Sequence, residues 1–133
     1  MDWNILSKYH FNYTKTTILL FRRTKLMQYK YDLYTKKTSD IYTDIYNKYF
    51  YNNDLFILAK NNYPYNLSTN IVHYILWFNP LIYRNKLHIL LNKKYITTIL
   101  NRYIKSNEYI CFMNVPDNQS IKNIYHYQVF IKK

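Results

Sequence analysis

The sequence contains no glycine among its 133 residues. Glycine takes left-handed backbone conformations at little steric cost, and the loops that cradle phosphates in nucleotide-binding proteins depend on it. Neither a Walker-type nucleotide site nor a dinucleotide-binding crossover can therefore form in its usual way. A chain of this length can bury a modest core, so we expect one domain over residues 1–133.

The chain is strongly basic, with 19 Lys and Arg residues against seven Asp and Glu residues and a formal net charge of +12. A positive field of this size favours nucleic acid, an anionic membrane or an acidic protein surface as partner. The longest apolar runs, Ile18–Phe21 and Ile71–Phe78, are far shorter than the ~20 residues of a membrane helix. We therefore expect no membrane partner.

The cysteine content and the N-terminal residues both bear on localisation. Cys111 is the only cysteine, so no intramolecular disulfide can form, and a disulfide-stapled secreted fold is excluded. The start of the chain has an acid, Asp2, where a signal peptide carries basic residues. Together these features predict a cytoplasmic protein.

Apolar periodicity predicts three helical segments. Leucines and tyrosines at three-to-four spacing indicate a helix over Thr16–Lys37. Ser39 is expected to cap a second, shorter helix that ends before Asn52. Leu87–Ile104 has a second long helical pattern, whereas Leu55–Lys60 is compatible with either helix or strand.

The strand predictions centre on Ile71–Phe78. This segment is β-branched and aromatic, is apolar on both alternations except at His73, and stops before Pro80. A central strand that is covered on both faces has this pattern. Two further strands are expected at Tyr109–Asn114 and Ile124–Ile131.

The order of these elements predicts an α+β fold. N-terminal helices, at about residues 16–50, and one later helix would pack on a small, mainly antiparallel sheet. The sheet would be formed within about residues 63–133.

Two histidines are candidates for a polar site on this sheet. Side chains two residues apart on a strand share a face, so His73 shares one with Trp77. By the same rule His126 shares a face with Gln128. If the two strands are neighbours, the imidazoles could converge, but a lone histidine on a strand more often has a structural hydrogen-bond partner. Both interpretations remain open from the sequence.

Other chemistry has little support in the sequence. Four scattered histidines and one cysteine give no zinc-finger spacing. Cys111 lies in an apolar strand, where thiols are usually inert, and Ser120 lacks the glycine elbow of a nucleophilic serine. The few acids are too far apart for paired-carboxylate catalysis. We therefore expect no metal, no cofactor and no catalytic residue of these kinds.

The broadest signal is the basic character of Leu81–Asn107, which contains no acid. Phosphate contacts from such a segment would release counterions and make binding steeply salt-dependent. The segment is equally compatible with a solvated helix face; as a binding surface it would contact DNA, RNA or the acidic surface of a larger protein. The candidate residues are Arg84, Lys86, Lys93, Lys94, Arg102 and Lys105.

Several short motifs occur in the order that is found in a known family. They are Asn62-Tyr63-Pro64-Tyr65, His73-x-x-x-Trp77, Phe112-x-Asn114, Gln119-Ser120-Ile121 and Ile124-x-His126-x-x-Val129, with Arg23, Tyr31 and Tyr42 upstream. With these motifs the chain resembles the fungal and viral family named for N-acetylglucosamine-induced proteins, which is catalogued as a domain of unknown function. The resemblance implies a shared α+β domain in which His73, Trp77, Asn114, Ser120 and His126 gather. The family's second histidine, two residues after His126, is Gln128 here, and this departure weakens the case for histidine-dependent phosphate chemistry.

A second resemblance concerns the whole chain. Its size, basicity and composition are similar to those of products of the AT-rich cytoplasmic linear plasmids of fungi, virus-like elements that encode a small basic RNA polymerase subunit. The strong positive charge, together with the lack of a recognisable set of catalytic residues in the sequence, leads to the same hypothesis. The chain would be a non-catalytic accessory subunit that binds the large catalytic subunit of a DNA-dependent RNA polymerase, and nucleic acid in addition.

Two alternatives remain open at this point. One is a small enzyme that recognises a phosphate or a nucleotide in a pocket around His73, Asn114, Ser120 and His126. The other is a structural protein of a virion or of an organellar ribosome, where basic, tyrosine-rich chains are also common.

Overall fold

Four antiparallel strands form one sheet in the computed structural model, which describes residues 1–12, 22–105, 108–113 and 124–133. In chain order the strands are β1 (Phe56–Lys60), β2 (Ile71–Phe78), β3 (Tyr109–Phe112) and β4 (His126–Lys132). Their order across the sheet is β1-β2-β4-β3. The two central strands are therefore β2 and β4, and β1 and β3 form the edges.

Five described helices accompany the sheet: α1 (Trp3–Ser7), α2 (Lys25–Lys37), α3 (Ile41–Tyr49), α4 (Leu87–Leu90) and α5 (Lys93–Tyr103). Four of them begin after a residue whose side chain accepts a hydrogen bond from a backbone N–H of the first turn. Such an N-cap stabilises a helix by about 1 kcal/mol. The four capping residues are Asp2, Thr24, Asp40 and Asn92.

Helices cover both faces of the sheet. On one face Leu76 of β2 packs in a cluster with Leu100 of α5. On the opposite face Trp77, the next residue of β2, packs with Ile45 of α3, and α1 packs farther along the same face. Alternate side chains of β2 are thus buried on opposite sides, which explains why this strand is apolar on both alternations.

The predicted α+β class is confirmed, and the chain forms a small single domain with an antiparallel sheet. The central strand Ile71–Phe78 is also confirmed residue for residue. The sheet begins earlier than expected, because the ambiguous segment Leu55–Lys60 contributes the edge strand β1. The predicted strand Ile124–Ile131 is shifted by one or two residues to His126–Lys132.

The predicted helix boundaries need three corrections. The long helix expected over Leu87–Ile104 is two helices, because the side chain of Asn92 accepts from the N–H of Tyr95 and starts a new helix. The second helix is capped by Asp40 and not by Ser39. In the predicted helix Thr16–Lys37, the described part begins at Lys25, and positions 16–21 lie outside the described residues.

The two edges of the sheet are covered differently. At β3, the backbone N–H of Phe11 donates to the carbonyl of Cys111 at 2.8 Å, and Nδ1 of His10 accepts from the N–H of Cys111 at 3.1 Å. At β1, the hydroxyl of Tyr103 donates to the carbonyl of Phe56 at 3.3 Å. These contacts satisfy backbone groups that an exposed edge would otherwise offer to another chain.

Left-handed backbone conformations occur without glycine at three described positions, Phe11 (φ 52°), Asn53 (φ 62°) and Asn85 (φ 59°). Asparagine tolerates this conformation better than most other non-glycine residues. Phe11 is the costly exception, and its backbone bond to β3 helps to hold it in place.

Candidate functional site

A cavity of about 190 Å³ lies between the helices α2 and α3 and the sheet face that carries Trp77. Side chains from α2, α3, the end of β1, β2 and β4 line it. Its charged, histidine and glutamine side chains are Arg23, Asp44, Lys48, Lys60, His126 and Gln128.

His126 presents a hydrogen-bond acceptor to this cavity. It is buried, and Nδ1 lies 2.8 Å from the carbonyl oxygen of Ile124. A carbonyl only accepts, so Nδ1 carries the proton and Nε2 keeps its lone pair. Burial lowers the pKa of His126, and the ring therefore stays neutral near pH 7. No described residue hydrogen bonds to Nε2.

His73 has a different role, because both of its ring nitrogens have partners. Nδ1 accepts from the backbone N–H of Tyr65 at 3.2 Å, so Nε2 carries the proton and donates to Oε1 of Gln128 at 2.5 Å. Burial lowers the pKa of His73 to about 3. The residue is thus a neutral, fully bonded imidazole that holds the Gln128 side chain in one orientation.

Gln128 turns its amide nitrogen to the cavity as a consequence. Its oxygen is used by His73, and the amide group lines the cavity next to His126. Among the described residues none accepts a hydrogen bond from this nitrogen. The sheet therefore offers a donor from Gln128 and an acceptor from His126, two residues apart on the same strand face.

The predicted site residues are only partly brought together by the described structure. His73, Trp77 and His126 lie on one sheet face. Trp77 is directly opposite His126, but His73 is opposite Phe130, which separates the two histidines by roughly 13 Å along the strands. His126 and Trp77 line the cavity and His73 does not. Asn114 and Ser120 lie outside the described residues.

An aromatic stack forms one part of the cavity lining. The ring of Tyr63 lies 5.4 Å from that of Tyr31 and 5.5 Å from that of Tyr34. Nε of Arg23 donates to the carbonyl of Tyr63 at 2.7 Å, and its Cζ lies 4.1 Å from the centre of the Tyr31 ring. Arg23 is thereby held against the stack by a hydrogen bond and a cation–π contact.

A second stack continues from helix α3 to the sheet. Tyr49 lies over Trp77 at 6.1 Å with nearly parallel rings, and Trp77 lies 4.8 Å from the ring of His126. The ammonium of Lys48 is 5.3 Å from the Tyr49 ring. Aromatic rings and cations thus lie against each other in the cavity lining.

The carboxylate of Asp44 is engaged by a neighbouring tyrosine. The hydroxyl of Tyr34 donates to Oδ2 of Asp44 at 2.5 Å. Burial, and then this bond, raise the pKa of the Tyr34 hydroxyl. Asp44 is the one carboxylate in the described cavity lining, against three cations, Arg23, Lys48 and Lys60.

Sequence reasoning did not find Lys48, Lys60 and Asp44 as cavity residues. They come from α3 and from the end of β1, and no local spacing relates them to His126. Arg23 and Tyr31 did carry a signal, since they fit the spacing of the resembled family. The cavity is a product of tertiary packing that a one-dimensional pattern does not record.

The basic residues of Leu81–Asn107 lie on the surface. All six candidates are exposed: Arg84, Lys86, Lys93, Lys94, Arg102 and Lys105. Lys93 covers the ring of Phe11 at 5.2 Å. They do not line the cavity described above, so they form a group separate from the cations of the cavity.

Three further findings on the described part of the chain concern its cysteine, metal binding and membrane-spanning helices. Cys111 is buried, and burial raises the pKa of its thiol. Within residues 1–12, 22–105, 108–113 and 124–133, no three potential metal ligands come close enough to hold an ion. No described helix is both long and apolar enough to cross a membrane.

Comparison with known proteins identifies the family. A family model described as "Protein of unknown function (DUF3605)" matches residues 8–132. The chain belongs to this family. The expected membership of a family of unknown function is thus confirmed, whereas neither the family description nor the structural match below names a polymerase subunit.

The fold of this DUF3605 chain is similar to that in the crystal structure of a protein named HTC1. The TM-score is 0.59 at 20% sequence identity, over 85% of this chain and 76% of the other. At this identity the likeness concerns the fold alone. No curated protein sequence matches the chain.

Proposed function

We propose that this chain is a ligand-binding domain whose cavity holds a small phosphate-bearing molecule. The observation that carries the proposal is the convergence of three cationic side chains, Arg23, Lys48 and Lys60, on one cavity with a single described carboxylate. A concave site in which a few polar groups converge between aromatic walls is the usual form of a small-molecule site.

The charges select the anionic part of the ligand. Asp44 is the one described acid beside three cations, so the cavity lining keeps a net positive charge. The planar guanidinium of Arg23 can bind two oxygens of one phosphate, and the ammonium groups of Lys48 and Lys60 add point charges. A phosphate is therefore favoured over a neutral ligand.

The floor of the cavity selects the rest of the ligand. The amide nitrogen of Gln128 is a donor, and Nε2 of the neutral His126 is an acceptor. The dianionic phosphoryl group of an ester has no proton to donate to Nε2 of His126, whereas a hydroxyl or an N–H group elsewhere on the same ester can donate one. We therefore favour a phosphate ester that also carries a hydrogen-bond donor.

The volume limits the size of the ligand. About 190 Å³ corresponds to roughly six water molecules at the ~30 Å³ that each occupies in the liquid. A small phosphate ester fits this space.

The proposal can be tested with glycerol 3-phosphate as probe, by isothermal titration calorimetry at low salt. Lys48→Gln and Lys60→Gln change exposed side chains and should leave the fold intact. Each should weaken binding about 10-fold, since one charge-assisted contact is lost. Lys94→Gln removes an exposed cation outside the cavity and serves as the matched control. Unchanged affinity in both cavity variants, or no heat with the wild type at millimolar ligand, would contradict the proposal.

A second candidate function follows from the exposed basic residues. A non-catalytic subunit that binds the large chain of a cytoplasmic DNA-dependent RNA polymerase would use a cationic surface without a catalytic centre. The exposed positions of Lys93, Lys94, Arg102 and Lys105 favour this candidate, since such a surface suits an acidic protein face or nucleic acid.

The test of this candidate is a tagged purification from the native source at high salt. A stoichiometric polymerase large subunit should remain bound to the wild type and be lost on charge reversal of Lys93, Lys94, Arg102 and Lys105. Assembly and nucleic-acid affinity that do not change on reversal would exclude this surface.

A further inference from the structure

A second concave feature lies on the other side of the sheet. A groove of about 410 Å³ runs along helix α5 beside the start of strand β1. Its residues come from Leu55–Phe56 and from the N-cap and body of α5. They are all distinct from those that line the cavity of the proposed function.

The groove combines an apolar floor with a cationic rim. Lys94, Thr98 and Arg102 are spaced by four residues and so form one ridge of α5. Beneath them Phe56 and Ile99 line the floor. An aliphatic and aromatic floor below two cations is an amphipathic surface.

Two large side chains at the groove are unusually exposed. Leu55, which lines it, is 50% exposed, and the neighbouring Tyr103, whose ring meets Phe56 edge-on at 6.3 Å, is 41% exposed. Single exposed apolar residues are common, but a cluster beside a groove marks an interaction surface. Covering this cluster would remove apolar area from water, which stabilises a complex by roughly 25 cal/mol per Å² before the costs of association.

The charges around the groove are not uniform. Burial, and then the carboxylate of Asp54, raise the pKa of Tyr103, whereas Arg102 acts in the opposite direction. Asp54 directly precedes Leu55 in the chain and is exposed, but it does not line the groove. The described lining itself contains two cations, Lys94 and Arg102, and no carboxylate.

We propose that this groove binds a segment of a partner protein in which an apolar side chain is followed or preceded by an acidic residue. The apolar side chain would cover Leu55 and Phe56, and the acidic residue would pair with Lys94. This inference is independent of the ligand proposed for the cavity. It places the partner-binding surface at this groove and specifies a partner segment with one apolar and one acidic side chain.

Nucleic acid fits the groove less well than a peptide. A nucleic-acid strand presents a regular row of phosphates and binds through several cations in sequence, whereas the described lining of the groove offers only two, Lys94 and Arg102. A second copy of this chain, with its net charge of +12, is disfavoured by repulsion.

The test is selection of a phage-displayed library of random 12-residue peptides against the immobilised wild-type protein. Enriched peptides should contain Leu, Ile, Phe or Trp next to Asp or Glu. The synthetic consensus peptide should then lose at least 10-fold in affinity with Leu55→Ser and with Lys94→Glu, measured by fluorescence polarisation. Lys94→Glu places an acid in the first turn of α5, which favours the helix, so lost binding would not reflect unfolding.

Two further variants distinguish the charge beside the groove from the net charge of the protein. Asp54→Asn removes the nearby acid and should strengthen binding of the acidic peptide. Lys36→Glu, on the exposed end of α2, changes the net charge as much as Lys94→Glu and should have little effect. Selection of peptides without acidic residues, or equal peptide affinity in the wild type and in Leu55→Ser, would overturn the proposal. So would displacement of the peptide by a single-stranded oligonucleotide whose own binding is lost in the same variants. Self-association of the protein that is lost in Leu55→Ser would also overturn it.

Discussion

The side chain of Gln128 is held by His73, whose Nε2–H donates to Oε1 of the amide at 2.5 Å. The proton is on Nε2 because Nδ1 accepts from the backbone N–H of Tyr65. This chain of bonds fixes which end of the amide turns away from His73. The donor that the cavity receives from Gln128 is thus set by a histidine that does not line the cavity.

Replacement of Gln128 by leucine should cost about 1–3 kcal/mol in the free energy of unfolding, because it leaves the buried N–H of His73 without an acceptor. Urea denaturation measures this loss. The double variant with His73→Phe should be less destabilised than the sum of the single changes, since both partners of the bond are then apolar. Strict additivity would show that the two side chains are not coupled.

Acid should destabilise the protein through its buried histidines. The pKa of His73 is about 3 in the folded state and ~6.5 in the unfolded chain, so below pH ~6.5 the unfolded state binds the extra proton. Stability is then lost as the pH falls towards 3. His73 alone should account for about 2 kcal/mol between pH 7 and pH 5. Urea titrations at both pH values test this, and the loss should shrink in His73→Phe.

Neutralising Asp44 should strengthen phosphate binding. Its carboxylate is the one acid that the described part of the cavity contains, and Asp44→Asn keeps an acceptor for the Tyr34 hydroxyl. We expect a several-fold gain in affinity for glycerol 3-phosphate by calorimetry. Asp32→Asn, on the exposed surface of α2, is the matched control. An equal gain in the control would mean that only the net charge matters.

The left-handed conformation of Asn53, with φ of 62°, predicts a simple stability series. Asn53→Ala should destabilise the protein by about 1 kcal/mol, because a Cβ without a compensating polar group disfavours this conformation. Asn53→Gly should be neutral or stabilising, since glycine adopts it freely. Thermal unfolding distinguishes the two, and equal melting temperatures would contradict the backbone argument.

The sequence predicted the sheet centre well and the helices less well. Ile71–Phe78 is buried on both faces, so its pattern is apolar except at His73, and its ends are marked by polar residues and a proline. The break between α4 and α5 depends on one side-chain bond of Asn92, which competes with an otherwise continuous helical pattern. A local hydrogen bond of this kind leaves only a weak trace in periodicity.

The candidate site was predictable only where strand alternation determines it. Placing His126 and Gln128 on one face follows from their spacing of two residues. Whether that face meets His73 depends on the register of β2 against β4, and the sequence does not state the register. The contribution of Lys48 and Lys60 depends on how α3 and β1 pack, which is set by the whole core.

The most direct test of the central claim is an NMR titration of the isotope-labelled protein with glycerol 3-phosphate. We expect the side-chain amide signals of Gln128, the ring signals of His126 and the indole N–H of Trp77 to shift together and to saturate. The indole of Trp3, outside the cavity, should remain in place, as should the amides of α5. Shifts confined to Lys93–Tyr103, or none at millimolar ligand, would contradict binding in the cavity.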